Sequence, residues 1–275
     1  MDSIIYNIPA SYRERYRGRQ VTLRSPDPLE LVNLLPAEPD GDLAGIQLLS
    51  LGFEPELLKS RWYGVPLDVV MQHPARDYPL LYRYAPLLDQ HPVRISLAVV
   101  PGFSKALKLA VSLNFAVKLE VSQPDPSLLE ELTKALHFYL HHPTVTQPIE
   151  FFHSLLSAFY QENSLTLWTI QEEDPTYYRY LTDQGEETVS ARLADLTREK
   201  DLLAFVQDLQ AGLLAEPGEC SKCEFWRNCA GYFKLPHKGY SCLGVKPLLQ
   251  TLRDAAAELR HDLTTGSADG KSDRS

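Results

Sequence analysis

The sequence predicts an α/β fold: a partial or complete βα (TIM-like) barrel followed by a C-terminal four-cysteine extension. Three observations predict it. Between residues 94 and 171, strand-like apolar runs trade places with amphipathic helical runs at a regular pitch, the pattern of βα units around a parallel sheet. About six strands can be counted in such units. All four cysteines fall within residues 220–242, after that alternation has ended. An open doubly wound sheet satisfies the same pattern, because closure leaves no mark on periodicity.

The elements follow in order. QVTLRS (20–25) alternates as a strand, and PDPLELVNLL reads as a helix started by proline, whose fixed φ suits a first helical position. DLAGIQLLSLG reads as a second buried strand. Residues 54–90 read as helical patches broken by Pro55, Pro66, Pro74, Pro79 and Pro86, since proline removes a donor and crowds the preceding turn. RISLAVV (94–100) is a strand, SKALKLAVSLN (104–114) a helix and FAVKLEV (115–121) a strand. A helix is predicted over 126–141, a short strand over 146–151 running into a helix at FHSLLSAFY, and a further strand over SLTLWTIQ (164–171). YYRYLTDQGEETVS reads as a hairpin turning at Asp183-Gln184-Gly185. Residues 197–214 and the stretch VKPLLQTLRDAAAELRHDL read as helices. The expected organisation is a barrel-like domain over 1–175, a hairpin, helix and cysteine region over 176–262, and a small, polar, disordered tail over 263–275.

Composition bounds the function. The chain has 275 residues, 44% of them hydrophobic, and a net charge of −9. Net acidity argues against broad nucleic-acid binding, which needs Lys and Arg to displace phosphate counterions. Arg13, Arg15, Arg17, Arg19 and Arg24 crowd the start of the chain and read as a solvated, partly ordered N-terminus. A docking surface for something acidic is the sharper alternative. No run approaches the roughly 18 apolar residues of a membrane span, and no leader is visible. The expectation is a cytoplasmic protein with neither membrane nor nucleic acid as partner.

The cysteines are spaced Cys220-x2-Cys223-x5-Cys229-x12-Cys242. A C-x2-C knuckle turns two thiolates toward one point, and two more can close a four-sulfur shell. Such ligation suits zinc or an iron–sulfur cluster. Zinc ribbons use two knuckles, and Cys229 and Cys242 do not form a second. Phe225, Trp226, Tyr232 and Phe233 surround the thiols and can keep water off a metal.

The string CSKCEFWRNCAGYF resembles the C-terminal auxiliary-cluster (SPASM) domain of radical SAM peptide-modifying enzymes. Cys220, Cys223 and Cys229 match the first three positions of its C-x2-C-x5-C-x3-C stretch, Gly231 matches its glycine, and Cys242 matches a later cysteine. The resemblance covers about 30 residues. Phe233 stands where the fourth cysteine of that stretch belongs, and no cysteine precedes Cys220. The radical-generating C-x3-C-x2-C motif is therefore missing. The resemblance implies a pseudo-radical-SAM protein with one 4Fe-4S cluster on Cys220, Cys223, Cys229 and Cys242, unable to cleave S-adenosylmethionine alone. Its implied partners are an active radical SAM enzyme and a precursor peptide that the two mature. An independent electron-transfer protein and a zinc-stabilised scaffold are the alternatives.

Other residues attract attention less strongly. Ala116, Lys118 and Glu120 share one strand face, as do Arg94 and Ser96. With Glu172 of the Glu172-Glu173-Asp174 run, at the C-terminal end of the strand predicted over 164–171, they could line a polar barrel interior, where βα barrels place their sites. Simple solvent contact is the plainer expectation. His137 and His141 are four apart, with His142 and His153 near, but no zincin glutamate lies between them; they read as helix-end residues. No GxGxxG, P-loop or GxSxG motif is present.

Overall fold

The computed structural model describes residues 4–38, 41–198 and 201–269. The chain opens on a strand, β1 (Ile5–Pro9), and a 3-10 turn, then forms β2 (Val21–Ser25), α1 (Pro28–Leu34), β3 (Leu43–Leu48), β4 (Leu67–Met71) and α2 (Pro74–Asp77). β5 (Val93–Ala98), α3 (Phe103–Ser112), β6 (Ala116–Glu120), α4 (Pro126–His141), β7 (Ile149–Glu150) and α5 (Phe152–Gln161) continue the alternation. Then come α6 (Leu167–Ile170), the hairpin strands β8 (Tyr178–Leu181) and β9 (Glu187–Thr188), α7 (Ala194–Thr197), α8 (Leu202–Ala215), α9 (Trp226–Cys229) and α10 (Lys246–Asp269).

Among the described residues one sheet holds the nine strands, in the order β7-β6-β5-β4-β3-β2-β1-β8-β9. Every pair is parallel except β8–β9. From β1 to β7 the chain steps in one direction only. Crossovers between parallel strands are right-handed as a rule, so stepping one way puts the connecting helices on one face and leaves the other concave. The result is barrel-like, with two edges, β7 and β9, rather than a closed ring.

Local chemistry explains the elements. Asp27 and Asp125 cap α1 and α4 by accepting from backbone N–H groups, each followed by a first-turn proline. α3 buries Phe103, Ala106, Leu107, Ala110 and Val111 at helical spacing against β5 and β6. α10 packs on α5 and α4.

Four expectations are corrected. β4 lies inside the segment read as helical patches; its five residues are all buried, and its flanking prolines masked so short a run. SLTLWTIQ is not a strand. Thr166 caps a short helix there, accepting from the Thr169 N–H, and Leu167 and Trp168 are both buried. The N-terminus is an inner strand, not a solvated lead-in: β1 lies between β2 and β8, and Arg13 and Arg24 are buried. Their charges are taken up by Asp42 and by Asp183. Finally, α10 carries helix to Asp269, into the stretch expected to be disordered; residues 270–275 of that tail lie outside the described residues. The hairpin beginning at residue 178 belongs to the same sheet through β8 and β1.

Candidate functional site

The concave side of the sheet encloses a cavity of about 980 Å³. Strand register puts Arg24, Gln47, Asp68 and Arg94 opposite one another on four adjacent strands, with Ser96 opposite Lys118 one step on. Their side chains form one polar belt. Arg24 donates to Asn7 Oδ1 (3.1 Å), Asn7 to Gln47 (3.1 Å), and Gln47 to Asp68 (3.0 Å). Asp68 accepts from Ser96 (2.6 Å) and Arg94 (3.0 Å). Arg94 and Lys118 both donate to Glu172, at 2.7 and 2.8 Å. Lys118 also donates to the Gln171 carbonyl (3.1 Å).

Arg94, Lys118, Glu120 and Glu172 thus come together as the polar-interior reading proposed. Glu172 arrives differently: it follows α6 in a left-handed turn (φ 62°) rather than ending a strand. Burial pushes its carboxyl pKa up, but the Lys118 and Arg94 charges outweigh that and hold it well below the usual range. Burial disfavours the Arg94 cation, yet Asp68 and Glu172 keep it firmly protonated. Glu120 goes the other way: burial raises its pKa, with Lys118 and Arg94 pulling it down and Asp68 and Glu172 pushing it up. The sequence reading missed Asn7, Gln47 and Asp68. A lone carboxylate in LDVVM, an otherwise apolar run, was the available signal.

The four cysteines line a second, smaller cavity with Trp226, Gly231, Phe233, Lys234 and Leu249. The knuckle closes through Cys223 N–H to the Cys220 carbonyl (3.1 Å). Cys229 ends α9, after which Ala230 (φ 47°) and Gly231 (φ 77°) reverse the chain through two left-handed steps. That reversal turns the Phe233 and Gly231 N–H groups onto the Cys229 sulfur. Cys242 is fixed from the knuckle side: Glu219 accepts from its N–H (3.1 Å), from Ser241 (3.0 Å) and from Lys234 (2.7 Å). Burial pushes the Cys229 thiol up to about 12 and the Cys242 thiol up to about 11. Among the described residues no three or more His, Cys, Asp or Glu side chains are grouped so as to hold a metal ion. The histidines stay apart from both cavities: His137 and His141 stack on exposed helix surface, 4.3 Å between ring centres.

The cysteine region packs against the barrel mouth. Tyr232 donates to the Val121 carbonyl just beyond β6 (2.9 Å), and Trp168 donates to Ala230 (3.0 Å). Gln123 donates to the carbonyls of Phe233 (2.9 Å) and His237 (2.8 Å). Arg192 pairs with Glu173 (2.6 Å) and lies over the Tyr232 ring (4.3 Å). Tyr232 therefore lines the large cavity while its neighbours Gly231 and Phe233 line the small one. No described helix is long and apolar enough to cross a membrane. Comparison with family models, curated proteins and solved structures finds no match to this chain.

Proposed function

We propose that the chain is an accessory protein of the pseudo-radical-SAM kind, holding one 4Fe-4S cluster and receiving a segment of a ribosomally made peptide in its barrel cavity for a partner radical SAM enzyme to modify. One observation carries this reading: a large cysteine-free cavity, with a belt of charges and amides on its wall, adjoins a small one lined by all four thiols of the chain. The barrel interior has side chains to bind and orient a polar ligand but no thiolate to hold a radical-generating cluster.

Cys220, Cys223, Cys229 and Cys242 would hold the cluster. Their donor chemistry fits it: soft sulfur ligands in an apolar setting, with backbone N–H groups directed at the Cys229 sulfur. The zinc alternative uses the same four sulfurs, drawn to about 2.3 Å from one point. When bound, such a cluster supplies electron transfer or rigid cross-linking of the C-terminal region. Glu219 and Lys234 tie Cys242 to the knuckle, and Tyr232 joins the site to the barrel mouth.

The test is anaerobic reconstitution followed by iron, sulfide and zinc analysis of the wild type and Cys223→Ala. About four irons and four sulfides per chain are expected, from four-thiolate ligation of a cubane, and Cys223→Ala should lose them while the circular dichroism of the α/β core persists. Stoichiometric zinc without iron would make the chain a zinc-stabilised scaffold instead.

A further inference from the structure

Every carboxylate that lines the large cavity is paired with a cation, with one exception. Asp68 and Glu172 are matched by Arg94 and Lys118, and Glu173 by Arg192. Arg179, also on the wall, donates to the backbone carbonyls of Pro175 and Tyr178. Glu120 is the remaining carboxylate, and its side chain has no hydrogen bond or ion pair among the described residues. Lys118, two residues away on the same face, is committed to Glu172 and the Gln171 carbonyl.

We propose that Glu120 is the recognition point for a cationic group, the side chain of a lysine or arginine in the bound peptide. Glu120 is the last residue of β6, at the C-terminal end of the parallel strands, where βα barrels receive their ligands. An unpaired carboxylate inside a cavity is costly, and an incoming ammonium or guanidinium removes that cost, so the energy withheld in folding is recovered on binding. Tyr178 and Tyr180 stand on the same wall. Burial keeps both phenols un-ionised, and neither hydroxyl has a hydrogen bond among the described residues, so each is available to a ligand polar group. The cavity volume of about 980 Å³ accommodates several residues around such an anchor. The peptide part of this assignment rests on the function proposed above; the cation part rests on the cavity alone.

The experiment uses the full chain with its metal reconstituted. A pool of randomised octapeptides, acetylated and amidated so that only side chains carry charge, is incubated with the wild type and Glu120→Gln. Retained peptides are identified by ultrafiltration and mass spectrometry, and free arginine, lysine and spermidine are assayed in parallel. Lysine- or arginine-containing peptides should be enriched on the wild type. Glu120→Gln should bind them about tenfold more weakly or worse, the effect of removing one charge-assisted contact. Its unfolding midpoint in urea should match or exceed that of the wild type, because no internal contact is removed. Enrichment unrelated to charge, or equal binding by the variant, overturns the cation site and leaves the peptide-binding reading standing. Binding of the free amines alone, lost in Glu120→Gln, supports the cation site and sinks the peptide reading. Retention of nothing by either protein overturns both.

Discussion

Glu172 accepts from two cations brought by different strands, Arg94 of β5 and Lys118 of β6, and so ties α6 to the sheet. Replacing it with glutamine removes the carboxylate that both cations bond directly and leaves Lys118 with no carboxylate hydrogen bond. Glu172→Gln should cost about 2 kcal/mol, below the figure for a fully enclosed pair because a third of its side chain stays open to the cavity. The loss should depend on pH with a definite sign. A carboxyl whose folded pKa is depressed contributes stability that is complete above its ordinary value of 4.5 and lost as pH falls toward the folded value. Urea unfolding at a series of pH values from 7 downward should therefore show the gap between wild type and variant narrowing in acid. A gap independent of pH would mean that Glu172 acts by shape rather than by charge.

At the scale of the element, the reversal after α9 depends on Gly231. Its φ of 77° is a region that glycine enters freely and other residues do not. A Cβ there would also stand 2.6 Å from Cδ1 of Leu213 on α8. Gly231→Ala should cost about 1–2 kcal/mol through backbone strain and crowding. The damage should be local, because the reversal presents N–H groups to Cys229 and seats Tyr232 under Val121. Hydrogen exchange should accelerate over 220–242 while the amides of β4, β5 and β6 keep their protection. Uniform acceleration across the sheet would show that the cysteine region and the barrel unfold as one unit.

For the whole molecule, what matters is where the thiols are. All four line the small cavity and none lines the large one. If all four close one cluster, no iron keeps an open position and no thiol remains for a second cluster. Reduced, reconstituted protein incubated with S-adenosylmethionine should therefore form no 5′-deoxyadenosine above a cluster-free control, measured by chromatography. Multiple turnovers would overturn the accessory reading. Addition of a competent radical SAM enzyme and its peptide should then give modification that depends on this chain.

Sequence alone was enough for whatever a short window encodes. The run PSLLEELTKALHFYLH predicted the helix found as α4, and alternation in FAVKLEV assigned Lys118 and Glu120 to one face and Val117 and Leu119 to the other. The cysteine spacing marked out a four-thiol region from its residue types alone. Tertiary structure decided what depends on partners distant in the chain. β4 is a strand because β3 and β5 flank it with hydrogen-bonding edges, which outweighs the proline-rich sequence around it. Arg24 is buried because Asn7 and the hairpin loop receive its guanidinium, over separations no window spans. Glu172 became part of the cavity, and Glu120 its unmatched carboxylate, only when parallel register brought Asp68, Arg94 and Lys118 onto neighbouring strands. Charge pairing across a sheet is fixed by which strands are neighbours, and strand order is a property of the folded chain.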